Sequence, residues 1–421
     1  MHKSNLPSII SSSHNEVIQS CLIYNEIVFL GLRNGFIEIF EYKTNTKLSD
    51  ITNLFINEPK KTEKELKLNP HSNQIVSIKL IKELPTEKKD NKDLIIYIQS
   101  RGGIIFIIKY DIKNKSNKLF IKYDTKIETF TEFYISNKIY RTEWENQIKN
   151  ISNSENLYKI FVPLEKNNEI DILLYNINYI DNNDISSIDK INQNFDYIID
   201  EDGQKILDVY KDMESKISQI VPLSNCISNS EKSMDNYIVM VYEKTLIFIL
   251  DEKMNYVSHY SLIFSLKLYE SIINIYSFKY KKEYFICIGL FAKNLILLKF
   301  DGEKLDFFED IKNICPEVKY GISCFTSGSV KTNDLFVDED LIKSKFLLFV
   351  GSYSKRVKIF EIIDEDDENE EKVNKIIDKK TKFNDLGNLI VDNSGAINQI
   401  HFSEGNLFVV CDRKLLYIYS I

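Results

Sequence analysis

Six times along this chain an apolar strand runs into a tight polar turn and straight out into a second apolar strand. Leu30-Gly31-Leu32-Arg33-Asn34-Gly35-Phe36-Ile37-Glu38-Ile39-Phe40 is the clearest copy, and Gly351-Ser352-Tyr353-Ser354-Lys355-Arg356-Val357-Lys358-Ile359-Phe360 is its echo near the other end. The same shape returns at 99–106, 241–248, 289–298 and 410–419. A repeated hairpin of this kind constrains the chain to radial β architecture. Single hairpins cannot bury both faces, so successive copies must stack on one another.

Length agrees with that constraint. Repeats of about 40–45 residues stack into one body, and seven of them need about 300 residues. The 421 residues of this chain leave room for long loops. The 43% hydrophobic content is enough for a large core, and the many Tyr, Phe and Ile residues favour strands. The expectation is an all-β fold: a WD40-like β-propeller of seven blades in one domain, 1–421. Insertions are expected near 43–70, 81–93, 136–156, 181–214 and 363–390.

Three strands of each unit read directly from the pattern. They are 17–22, 26–30 and 36–40 in the first unit, and 74–78, 94–98 and 104–108 in the second. The third, more weakly patterned, has 128–135, 157–162 and 170–175. The fourth has 217–221, 237–241 and 246–250, and the fifth 272–278, 284–289 and 295–300. The sixth has 321–325, 346–350 and 356–362, and the seventh 396–402, 407–411 and 415–419. The seventh unit lacks an outer strand, which would leave an open edge. Leu6-Pro7-Ser8-Ile9-Ile10-Ser11 precedes the first unit and has no partner of its own. It is expected to supply that strand and close the ring. Asn25 and Arg33-Asn34-Gly35 suit tight turns with left-handed backbone.

Composition limits function. With 54 basic and 62 acidic residues the net charge is −8, which argues against direct nucleic-acid binding. No apolar stretch reaches the ~20 residues of a membrane span, and the first residues do not read as a signal peptide. A nuclear or cytoplasmic protein with no membrane partner is expected. Six scattered cysteines, with no CxxC pair, read as reduced and buried thiols. No P-loop, HExxH or GxSxG motif is present. The five histidines, His2, His14, His71, His259 and His401, are widely separated. His14 and His71 stand just before first strands, where they suit turn stabilisation better than metal ligation. No catalytic residue, metal or cofactor is therefore assigned. The acidic run 364–371 reads as a solvated loop, with docking of a basic partner as the sharper alternative. Aromatic and Arg residues at hairpin ends are the expected interaction anchors: Tyr242, Tyr353 and Arg356.

The order of these pieces resembles the ASTRA-associated protein 1 family of WD-repeat proteins, related to a G-protein β-subunit-like WD-repeat protein. The likeness runs from His14 through Glu41 to His71. It continues at Gln99-Ser100-Arg101-Gly102-Gly103-Ile104-Ile105-Phe106, Val241-Tyr242-Glu243-Lys244, Gly321-Ile322-Ser323, residues 351–360 and Ala396-Ile397-Asn398-Gln399-Ile400-His401-Phe402-Ser403. No Gly-His or Trp-Asp dipeptide occurs, and Asn34 and Gly102 stand where the family's turns carry Asp. The resemblance implies a non-enzymatic scaffold in an ASTRA-like complex with Tel-two/Tti co-chaperones. That complex would serve chromatin regulation and the assembly of phosphatidylinositol-3-kinase-related kinases. The alternatives are another WD-type adaptor, in trafficking or as a ubiquitin-ligase receptor, or a propeller hydrolase with a central metal.

Overall fold

The computed structural model describes residues 6–52, 54–55, 72–85, 92–125, 134–136, 157–163, 169–176, 189–194, 217–223, 237–242, 245–251, 255–268, 270–281, 283–291, 294–312, 321–331, 344–365, 380–391 and 395–421. His71, Trp144, Glu243, Lys244 and residues 366–371 of the acidic run lie outside them.

After β1 (Ser8–Ser11), the first sheet contains β2 (Ile18–Tyr24), β3 (Ile27–Leu32), β4 (Ile37–Glu41) and β5 (Thr46–Ile51). The second holds β6 (Ile75–Pro85), β7 (Lys92–Ser100), β8 (Ile104–Asp111) and β9 (Ser116–Asp124). The third holds β10 (Tyr134–Ser136), β11 (Leu157–Pro163), β12 (Glu169–Asn176) and β13 (Asp189–Asn194). The fourth holds β14 (Ile217–Pro222), β15 (Tyr237–Tyr242), β16 (Leu246–Asp251) and β17 (Tyr256–Ser261). A single helical turn, Leu262–Leu266, follows. The fifth holds β18 (Ile272–Tyr280), β19 (Glu283–Leu290), β20 (Leu295–Phe300) and β21 (Leu305–Ile311). The sixth holds β22 (Ile322–Lys331), β23 (Ser344–Ser352), β24 (Arg356–Glu365) and β25 (Lys380–Ile390). The seventh holds β26 (Ile397–Ser403), β27 (Asn406–Cys411) and β28 (Leu415–Ser420), with β1 added outside β28. Within each sheet, neighbouring strands run antiparallel.

The expected closure is present. β1 pairs antiparallel with β28, Ile10 opposite Leu416, and Ser12 N donates to Lys414 O at 2.9 Å. Ile10 is fully buried with Phe408, Val410, Leu416 and Ile418 against Ile18, Val28 and Leu30 of the first sheet.

Sheets pack face to face because their second and third strands are apolar at nearly every position. A strand sends alternate side chains to opposite faces, so an unbroken apolar run serves two neighbours at once. On β27, Leu407, Val409 and Cys411 join the core shared with the sixth sheet, while Phe408 and Val410 join the first. On β19, Tyr284, Ile286 and Ile288 pack on the fourth sheet, and Phe285 and Cys287 on the sixth. On β7, Leu94, Ile96 and Ile98 serve the first sheet, and Ile95 and Tyr97 meet Ile160 and Val162 of the third.

The first strand of six sheets repeats a detail that hydrophobic patterning does not reveal. Each opens with a buried Ile: Ile18, Ile75, Ile217, Ile272, Ile322 and Ile397, none above 3% exposed. The next residue is bulged, so the register skips Gln19, Val76, Ser218, Ile273, Ser323 and Asn398. A bulge takes a carbonyl out of the ladder. Neighbouring sheets satisfy several of the polar groups there. Gln219 Nε2 donates to Ile273 O at 2.9 Å and Asn274 Nδ2 to Ser323 O at 2.6 Å. Ser20 Oγ donates to Ile75 O at 2.9 Å, and Cys21 N to Gln399 Oε1 at 2.8 Å. These bonds tie one innermost strand to the next.

Several segments expected as insertions contain strands. β5, β13 and β25 lie within 43–70, 181–214 and 363–390. They are the outermost strands and carry too many polar residues to read as apolar runs; β5 is Thr-Lys-Leu-Ser-Asp-Ile. Within 81–93, β6 continues to Pro85 and β7 starts at Lys92 opposite it, and the Lys92 ammonium meets the Glu83 carboxylate.

Candidate interaction face

In five sheets the turn between the second and third strands is tied to the residue before the first strand. Arg33 N donates to Val17 O at 3.0 Å, Arg101 N to Gln74 O at 2.8 Å and Phe291 N to Ser271 O at 3.4 Å. Tyr353 N donates to Gly321 O at 3.2 Å, and Asp412 N to Ala396 O at 2.7 Å. One end of the sheet assembly therefore presents these turns side by side, each held by the backbone of its own sheet.

On the fifth and sixth sheets this end is apolar and exposed. Phe291 is 55% exposed, Tyr353 39% and Ile390 55%. Phe291 and Tyr353 both flank Gly321, and Ile390 lies across the strand pair from Arg356, beside the Tyr353 turn. A Cβ added at Gly321, whose carbonyl accepts from Tyr353, would sit 2.9 Å from Phe291 Cα. Ile390 pairs with Arg356, and Val391 N donates to Lys355 O at 2.9 Å. Lys355 is exposed and Arg356 half-buried, so cationic groups border the apolar surface. Loss of hydration raises the Tyr353 hydroxyl pKa, with Cys324 adding to the rise, so the phenol stays a neutral donor.

Two of the three expected anchors, Tyr353 and Arg356, thus sit together. Tyr242 does not join them. It is 2% exposed at the end of β15, edge-on to Phe248 at 6.3 Å, and its apolar ring serves the core. Phe291 was missed in the sequence because it directly follows β19, whose apolar run reads as buried, and Ile390 because it ends β25, which lies in a polar segment expected as an insertion. The expected reduced thiols are found for Cys21, Cys287, Cys324 and Cys411, all buried and none in a disulfide. His401 lies on β26 opposite Phe408, and His259 Nδ1 meets Tyr256 Oη at 2.8 Å.

No family model matches this chain, and no curated protein matches it in sequence. Solved structures do match in shape. The β-propeller domain of Cps50 (Swd1) from Myceliophteria thermophila superposes with a TM-score of 0.56 at 9% identity, covering 100% of both chains. The fold is a WD40-like β-propeller. Saccharomyces cerevisiae Sqt1 gives a TM-score of 0.50 at 8% identity, covering 100% of this chain and 99% of its own. Chaetomium thermophilum Raptor gives 0.56 at 12% identity, covering 100% of this chain and 29% of Raptor. At these identities the likeness is one of propeller architecture.

Proposed function

We propose that this propeller is a protein-interaction scaffold. The observation that carries the reading is the exposed cluster of Phe291, Tyr353 and Ile390 bordered by Lys355 and Arg356. Rigid turns displaying aromatic and Arg side chains are what protein interfaces use at their centres.

Within that role, the resemblance of the hairpins to the ASTRA-associated protein 1 family favours a nuclear or cytoplasmic complex. Its partners would be Tel-two/Tti-type co-chaperones, and its clients phosphatidylinositol-3-kinase-related kinases. Affinity purification of the tagged chain from its own cells, followed by mass spectrometry, tests both levels. Recovery of those co-chaperones and kinases supports the ASTRA-like role. Recovery of coat or ubiquitin-ligase components instead makes the chain an adaptor of another kind. The double variant Phe291→Asp, Tyr353→Asp is expected to lose the recovered partners while remaining folded. Unchanged recovery would move the interface elsewhere.

A further inference from the structure

Three chain segments converge beside the link from β1 to β2. The link contributes His14, β4 contributes Glu38 and β5 contributes Asp50. His14 Nε2 lies 3.3 Å from Asp50 Oδ2 and 3.9 Å from Glu38 Oε1. Phe36 packs edge-on to the imidazole at 5.2 Å, which fixes its orientation. Glu38 is 0% exposed, and its Oε1 accepts from the Ser13 hydroxyl and from His14 N at 3.0 Å. Its other oxygen, Oε2, is buried without a hydrogen-bond partner, as is Asp50 Oδ1. Lys47 Nζ sits 2.7 Å from Asp50 Oδ2 and 3.7 Å from Glu38 Oε1, and also donates to Ser13. The outer edge is open to solvent: the His14 and Asp50 side chains are 30% and 27% exposed.

A buried carboxylate oxygen with no donor is costly. One ammonium against two carboxylates leaves the cluster short of positive charge, and a divalent cation supplies it. In a tetrahedral zinc site, bonds of about 2.0–2.1 Å place ligand atoms about 3.3 Å apart. The separations of 3.3 and 3.9 Å around His14 Nε2 are close to that before any adjustment. An imidazole ligand selects against magnesium and calcium, which prefer all-oxygen shells.

We propose that His14, Glu38 and Asp50 form a divalent transition-metal site of zinc type, with the Lys47 ammonium holding its place when no metal is bound. Ser13 orients Glu38, and Phe36 orients His14. Such a site clamps the link that follows β1 onto β4 and β5. Metal binding therefore secures the strand that closes the ring, and this role is independent of the interaction face.

The test uses the full chain after chelator treatment, titrated with Zn²⁺ by calorimetry and with Co²⁺ by visible absorption. The expected result is one saturable site with tetrahedral cobalt bands, no thiolate-to-cobalt charge transfer, and a raised Tm on metal loading. His14→Ala and Asp50→Asn should abolish it. Ser13→Ala should weaken affinity about tenfold, as loss of an outer-shell partner does. Lys47→Met, which removes the competing cation, should tighten binding. Circular dichroism checks that each variant folds, and Lys47→Met and Ser13→Ala carry the test if a ligand variant does not. No saturable binding by the parent chain, a thiolate signature, or uptake indifferent to these substitutions would overturn the proposal.

Discussion

Single residues set the spacing between sheets. Gly31, Gly289 and Gly351 end the second strands of three sheets, each against the opening Ile of the next sheet. A Cβ at Gly31 would lie 2.7 Å from Ile75 Cγ2, and one at Gly289 would lie 2.9 Å from Ile322. Gly31→Ala is therefore expected to cost about 1–3 kcal/mol through overpacking, measured by urea unfolding. Burial also governs the thiols. Desolvation pushes Cys324 up to about 12 and Cys287 higher still. Among the described residues the four cysteines are all buried. Native protein should therefore give at most two fast-reacting thiols with a disulfide reagent, and all six after denaturation. Faster reaction of a third thiol would contradict that packing. His401 has its pKa lowered by desolvation. The neutral imidazole is thus the form the fold prefers, and the unfolded chain binds the proton more readily. Its contribution to stability is full above the unfolded value of about 6.5 and declines as pH falls below it. Tm should drop on acidification from about pH 7 to pH 5, and less steeply in His401→Gln.

At the scale of elements, β1 is the decisive strand, because it joins the two ends of the propeller. It is short and partly exposed, with Ile9 40% exposed, yet Ile10 is buried against two sheets. Ile10→Ala is expected to cost about 2–5 kcal/mol, the range for a buried large-to-small change. Removing residues 1–12 strips β28 of its partner as well, so a larger fall in Tm and a tendency to associate through the open edge should follow. Unchanged melting would mean that closure contributes nothing to stability. The elements most legible in the sequence were the second and third strands of the sheets, because burial on both faces demands continuous apolar runs such as Leu94-Ile95-Ile96-Tyr97-Ile98. Of the expected first strand 128–135 of the third unit, only Tyr134 and Ile135 lie in β10, and 128–133 fall outside the described residues. Outer strands escaped notice for the opposite reason. β21, Leu-Asp-Phe-Phe-Glu-Asp-Ile, buries only its first residue fully, and its alternation is broken where the register skips Phe308 opposite Leu297 and Leu298.

At the scale of the whole molecule, function is a matter of which turns share one end. The apolar cluster of Phe291, Tyr353 and Ile390 draws on two sheets and 100 residues of sequence. The candidate metal site draws on segments 24 and 36 residues apart. Neither spacing is a recognisable motif. Substitutions at Phe291 and Ile390, each 55% exposed, should leave stability within about 0.5 kcal/mol. The parallel loss of partners would then report binding alone.

The sequence by itself determined the all-β class, the repeated hairpins, the turn residues and the strand that closes the ring. Periodicity and turn chemistry are local, and they survive without the familiar dipeptides. Asn25, at φ 50°, and Gly35, at φ 91°, occupy the left-handed turn positions expected of Asn and Gly. Only the tertiary structure decided that Tyr242 is core while Tyr353 is surface. Both are tyrosines where a second strand passes into its turn. They differ in the neighbours that the ring brings to them: Phe248 packs on Tyr242, and solvent meets Tyr353. It likewise decided that His14 meets two carboxylates, because long-range packing, unlike periodicity, leaves no mark at fixed spacing along the chain.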